Sequence, residues 1–202
     1  CILLTMIETI NIKDDSELWF VSDTHFHHMK LVRSCPQHFE RCRRYETTEE
    51  MNKDIKTQWN KFIGPNDIVI FLGDFGLNIP AADIEDVFIK TMTSLNGRKI
   101  YIKGNHDSVI KKKVPELHWF DGVAFDYRDR HYICQHYDFN EVPITDPVLD
   151  RNKKNVLVHG HTHSDAKISI VDFATTWKMK QNCVCWEAWY RPVSYNDLIS
   201  TN

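Results

Sequence analysis

Asp23 and His25 flank one threonine, and His161 and His163 flank another. Aspartate, asparagine and histidine supply the oxygen and nitrogen donors that divalent cations take. Side chains two apart in an extended segment point to one side, so Asp23-Thr24-His25 and His161-Thr162-His163 each present two donors together. Asp74, the Asn105 amide oxygen and His136 bring the number of donors to seven. Seven is too many for one tetrahedral ion and suits two ions sharing a carboxylate. Imidazoles and carboxylates without a thiolate favour manganese, iron, zinc or nickel over calcium or magnesium. Two ions about 3.5 to 4 Å apart bind both a hydroxide nucleophile and a phosphoryl oxygen, which stabilises an in-line displacement at phosphorus. His106 is not needed in either metal shell. It is free to protonate a leaving oxygen or to bind developing charge, with Asp107 holding its orientation.

Each of these residues closes an apolar run. Leu18–Val21 leads to Asp23, Ile68–Leu72 to Asp74, Lys99–Ile102 to Asn105, Tyr132–Cys134 to His136 and Val156–Val158 to His161. Five strands that each deliver donors at their ends imply a site along one rim of a sheet. Between the first three runs, Thr47-Thr48-Glu49-Glu50 reads as a capping box opening a helix that carries Met51, Ile55, Trp59 and Phe62 at helical spacing. Pro80–Leu95 repeats that period and stops at Asn96-Gly97. Strand, helix, strand, helix, strand implies parallel pairing with right-handed crossovers. The expected class is α/β with mixed sheets. Glu8–Ile12 and Leu18–Val21 read as an opening hairpin, and the short strands beyond Lys113, at residues 123–127, 131–134, 156–158, 167–171 and 183–186, as a second, more antiparallel sheet. Residues 137–155, with Pro143 and Pro147, form a long loop of the kind that covers sites.

At 202 residues and 42% hydrophobic, the chain suits a single domain over 1–202. A formal charge of −3 does not favour nucleic-acid or membrane-surface binding, and Arg41/Arg43/Arg44 and Lys111–Lys113 read as solvated surface. The six cysteines form no C-x-x-C pair, which fits reduced thiols. Cys183 and Cys185 read as small apolar packing on one strand face. The apolar opening, residues 1–7, has no basic leader and falls below the roughly 18 residues of a membrane span. A cytoplasmic location is the expectation, from a sequence that does not begin with Met.

SDTH at Ser22–His25, LGD at Leu72–Asp74, KGNHD at Lys103–Asp107, QHY around His136 and GHTH at Gly160–His163 together resemble the ordered motifs of the calcineurin-like metallophosphoesterases. With Trp59-Asn60, Leu95–Lys99 and Tyr190–Ser194, the chain looks most like the compact bacterial and phage branch, from Leu18 to Ile199. The resemblance implies a sandwich of two mixed sheets flanked by helices, four layers in all. It implies Asp23, His25, Asp74 and His163 around one ion and Asp74, Asn105, His136 and His161 around the other, with Asp74 bridging and His106 catalytic. His131 shares the strand of His136, whose place before Tyr137 fits the motif better. The branch usually has glycine where this chain has His27, so His28 is expected to face the substrate, with Asn105 beside it, and His27 to add bulk or a proton carrier at the mouth. The implied activity is hydrolysis of phosphoesters, diesters first, on small or nucleotide-type substrates. The alternatives are a nuclease on single strands and a non-catalytic metal-loaded scaffold, against which the retained His106 argues. His38, His118 and His131 are expected at surface or packing positions, and Trp177, Trp186 and Trp189 in the core or on a sheet face.

Overall fold

The computed structural model describes residues 5–13, 15–31, 45–144, 148–173 and 177–199. Arg41, Arg43, Arg44, His38 and Pro147 lie outside them, as do Cys1, Cys35, Cys42 and the Trp177 side chain.

A five-stranded sheet contains β2 (Leu18–Val21), β3 (Ile68–Phe71), β4 (Arg98–Ile102), β5 (Trp119–Phe120) and β11 (Val193–Ser194), in the order β11-β2-β3-β4-β5. β2, β3, β4 and β5 run parallel, as the alternation of strands and helices requires, and β11 pairs antiparallel at the β2 edge. β3 is buried along its whole length because both of its faces are covered. One face carries α1 (Thr48–Phe62), α2 (Ile84–Ser94) and α3 (Ser108–Lys113). In α1 the Thr47 hydroxyl accepts the Glu50 N–H at 3.1 Å, and the Glu50 carboxylate reaches back to the Glu46 N–H at 2.9 Å. Met51, Ile55 and Trp59 form the buried stripe of α1, packed on Val69 and Phe71. Lys111–Lys113 are exposed in the last turn of α3, where cations suit the helix dipole.

The six-stranded sheet contains β1 (Ile7–Thr9), β6 (Gly122–Tyr127), β7 (Arg130–Gln135), β8 (Lys154–His159), β9 (Ile168–Phe173) and β10 (Trp177–Cys183), in the order β1-β6-β7-β8-β10-β9. Leu18, Phe20, Ile70 and Ile102 meet Val123, Phe125, Tyr132, Val156 and Val158 between the sheets. On the outer face, Ala124, Ile133, Leu157 and Val171 are covered by Phe139, Ile144, Val148 and Leu149, which supply the fourth layer.

Three expectations change. β1 and β2 form no hairpin: β1 pairs parallel with β6, and β2 lies in the other sheet. The residues between them carry the chain from one sheet to the other, a choice of partner that neither strand's own pattern specifies. The second sheet is mixed rather than mainly antiparallel, since β7-β8 and β8-β10 are parallel and β6-β7 and β9-β10 antiparallel. The strand expected at 183–186 ends at Cys183, and α4 (Trp186–Trp189) begins three residues later.

Candidate metal centre

The ends of β2 and β3 are laced together. Asp23, His25 and Phe26 donate backbone N–H groups to the carbonyls of Gly73, Asp74 and Phe75 at 2.9, 3.1 and 2.8 Å. The backbone there is not extended. Asp23, His25 and Asp74 have φ of 55°, 47° and 56°, and His161 and His163 have 67° and 49°. The expected pairing of donors two apart is present, but left-handed turns produce it rather than strand alternation. Gly73 and Gly104 let the β3 and β4 loops touch. A Cβ on Gly104 would stand 2.1 Å from Asp74 Oδ1, and one on Gly73 2.3 Å from the Gly104 nitrogen.

Asp107, expected to orient His106, also serves the neighbouring loop. The Asp107 carboxylate is fully buried and accepts the backbone N–H groups of Asp74, Phe75 and Gly104 at 2.8, 3.0 and 2.9 Å. It holds the Asp74 loop in place through these three amides.

Asp23, His25, Asp74 and His163 offer donor atoms within 4.8 Å of one another, and so do Asp74, His136 and His161. His25 Nε2 lies 3.8 Å from Asp23 Oδ1 and 3.5 Å from Asp74 Oδ2, and His163 Nε2 lies 3.6 Å from Asp23 Oδ1. In the other group His136 Nε2 is 3.5 Å from Asp74 Oδ2, and the Asn105 oxygen is 2.9 Å from His136 Nε2 and 3.0 Å from His161 Nδ1. Donors about 2.1 Å from one ion lie about 3.0 to 3.4 Å apart; the Asn105, His136 and His161 spacings of 2.9 to 3.2 Å match that range, and the spacings to Asp23 and Asp74, at 3.5 to 3.8 Å, are a few tenths of an ångström wider. His136 Nε2 and His161 Nδ1 approach to 3.2 Å, a spacing that suits a pair of nitrogens aimed at one ion.

The outer atoms of the donors are also engaged. His136 Nδ1 donates to the Leu72 carbonyl at 2.7 Å, which fixes its tautomer with Nε2 toward the site. His163 Nδ1 pairs with Glu187 at 3.0 Å, and His161 Nε2 lies 3.5 Å from Glu141 Oε2. Asp23 Oδ2 accepts the Ser22 hydroxyl at 2.5 Å, the His161 N–H at 3.0 Å and the Cys185 thiol at 3.3 Å. Cys185 is therefore more than packing. None of Glu141, Glu187, Ser22 and Cys185 is marked by spacing; only the nearness of Ser22 to Asp23 in the chain hints at its role.

Burial pushes the Asp74 carboxyl up to about 7. Burial works against the Asp23 charge as well, but His25, His136 and His163 outweigh it and hold that carboxyl well below the ordinary range. His106 is depressed by burial, with Asp107 opposing. Its ring stands edge-on to His25 at 5.6 Å, and its side chain is 40% exposed at the mouth beside Asn105.

His28 is buried against His25, ring centroids 5.1 Å apart. His27 has φ 64°, the conformation that glycine takes most readily, and its side chain turns to α1, where the Asn52 amide lies 3.3 Å from Nδ1. His131 lies outside both donor groups, bonded to Asp126 and to the Val148 carbonyl at 2.8 and 2.9 Å. His118 is exposed, and Trp186 is in the core. His159 is buried beneath the site, with Nδ1 donating to the Gly160 carbonyl at 2.9 Å.

The sequence profile of the calcineurin-like phosphoesterases matches residues 17–138. The chain belongs to that family. Among similar proteins, the uncharacterized protein MJ1445 of Methanocaldococcus jannaschii is 29% identical over 150 residues, 74% of this chain and 70% of that one. The Gene 66 protein of Mycobacterium phage L5 is 26% identical over 91% of this chain and 92% of its own. The crystal structure of the protein of unknown function AQ665 from Aquifex aeolicus shares the fold, with a TM-score of 0.58 at 22% identity over 91% of this chain and 97% of that one. Membership among the calcineurin-like phosphoesterases and the Asp/His clusters support a metal-dependent phosphoesterase. No helix among the described residues is long and apolar enough to cross a membrane.

Proposed function

We propose that the chain is a dinuclear-metal phosphodiesterase acting on a small, nucleotide-type substrate. The observation that carries this reading is the position of Asp74 Oδ2, 3.5 Å from His25 Nε2 and 3.5 Å from His136 Nε2, so that one oxygen belongs to both donor sets. Asp23, His25, Asp74 and His163 hold one ion in this reading, and Asp74, Asn105, His136 and His161 hold the other. Manganese is the first choice for the donor set, with iron, zinc or nickel as alternatives. When bound, such a pair supplies a nucleophile at neutral pH and neutralises charge on the phosphoryl oxygens.

The residues around it have separable tasks. Asp107 and the backbone of Gly104 fix the Asp74 loop. The His106 N–H donates to Asp74 Oδ1 at 2.9 Å, which sets the backbone under an imidazole that reaches the mouth. A neutral imidazole there donates a hydrogen bond to the leaving oxygen as charge develops on it. A net charge of −3 with dispersed basic residues supports a small substrate over a long nucleic acid, which needs a track of phosphate contacts.

The test compares bis(p-nitrophenyl) phosphate with p-nitrophenyl phosphate under Mn²⁺, with metal content measured on the same samples. The diester is expected to turn over faster. His106→Asn is expected to keep its metal and lose about 100-fold in kcat. Metal-loaded protein that cleaves neither ester sinks the proposal.

A further inference from the structure

Glu141 belongs to neither donor set, yet its place is built. Buried Gln135 donates its amide to the carbonyls of Tyr137 and Val142 at 3.0 and 2.7 Å. Buried Gln181 accepts the Phe139 N–H at 2.9 Å and donates to the Asp138 carboxylate at 2.7 Å. Asn140 binds the edge of β9, donating to the Ile170 carbonyl at 3.0 Å and accepting the Asp172 N–H at 3.1 Å. The N–H groups of Glu141 and Val142 close on the Asp138 carbonyl at 3.0 and 2.9 Å. Burying an amide is costly unless its bonds are made; the Gln181 amide has its oxygen and nitrogen both bonded, and the Gln135 nitrogen bonds two carbonyls of the turn. The start of the long connection expected over 137–155 is thus a turn hydrogen-bonded to β9 and β10.

That turn lays the Tyr137 ring against His136 and His161, with centroids 5.2 and 4.8 Å apart, and sets the Glu141 carboxylate 3.5 Å from His161 Nε2. His161 Nδ1 faces Asn105 and His136. The half-exposed Glu141 carboxylate thus stands one imidazole away from the donor atoms. A phosphomonoester carries close to two negative charges at neutral pH, its second ionisation falling near pH 6, and a diester carries one. Repulsion from a nearby carboxylate scales with the charge brought to it.

We infer that Glu141 is a specificity-determining residue, a charge filter that turns away doubly charged phosphomonoesters and admits singly charged diesters. This role depends on the phosphoesterase activity proposed above. The experiment compares wild-type and Glu141→Gln proteins, both loaded with manganese, on p-nitrophenyl phosphate and bis(p-nitrophenyl) phosphate. Calorimetry measures inorganic phosphate binding to the same samples. The ratio of monoester to diester kcat/KM is expected to rise about tenfold in the variant, through KM. Phosphate is expected to bind more tightly by a similar factor, and both differences to shrink as salt is raised. Metal content is expected to be equal. An unchanged ratio with unchanged phosphate affinity overturns the filter. Loss of metal from Glu141→Gln overturns it too, by making Glu141 a support for His161. Cleavage of neither ester by the wild type defeats the phosphoesterase reading instead, and the phosphate measurement then still decides the role of Glu141.

Discussion

At the end of the five-stranded sheet, Asp74 is positioned by backbone. Its loop hangs on Asp107 through three amides, and two glycines bring it against the neighbouring loop. At the end of the six-stranded sheet, the outer nitrogens of His161 and His163 face side chains rather than main chain. They meet Glu141 and Glu187, which come from a turn after β7 and from α4. A carboxylate held by its own main chain moves only if the loop moves, whereas an imidazole held by another side chain is tuned without touching the fold. The first arrangement is expected to couple metal binding to stability, and the second to separate them.

That contrast is breakable. Asp107→Asn is expected to have the largest effect, because an amide cannot accept three N–H groups and turns one N–H against another. It should cost about 3 kcal/mol in denaturant unfolding and weaken metal binding with it. Unchanged stability would show that the loop does not hang on this carboxylate. Glu187→Gln is expected to lower metal affinity about tenfold in a competition titration while stability changes by less than about 1 kcal/mol. A drop in stability as large as that of Asp107→Asn would erase the distinction between the two regions.

The smallest effect belongs to a control outside the site. Burial disfavours the Asp197 charge, but the Arg191 guanidinium at 2.9 and 3.0 Å and the Ser194 N–H and hydroxyl outweigh it and hold the carboxyl at about 2, below its ordinary 3.8. A depressed carboxylate stabilises the fold above its unfolded value, and that contribution is lost as pH falls through its folded value. Thermal unfolding should therefore show Asp197→Asn less stable than wild type above about pH 4, with the gap closing toward pH 2. Metal affinity should not change.

Much of the five-stranded half was legible in the chain. An apolar run ending in Leu72-Gly73-Asp74, with a capped helix before it and a second helical period after it, leaves little choice but a buried parallel strand. The six-stranded half was less so, because β1 chose β6 as its partner and the crossovers among β7, β8 and β10 depend on connections that carry no period. At the site, donors that recur two apart stand out from the background. Single acids do not: Glu187 sits in a short helix among tryptophans, and Glu141 in a turn whose hold on the sheet comes from Gln181, forty residues away. The bonds of Asp107 to the Asp74 loop were not legible, since adjacency to His106 in the chain says nothing about which amides a buried carboxylate accepts.

The left-handed residues at Asp23, His25, Asp74, His161 and His163 limit how this centre can be reused. Ideal helices and strands offer no such backbone, so a designer who copied seven side chains onto a regular scaffold would aim them wrongly however well their identities matched. The portable unit is the set of turns at the strand ends together with Gly73 and Gly104, which makes the loop, and not the ligand list, the part that engineering must transplant.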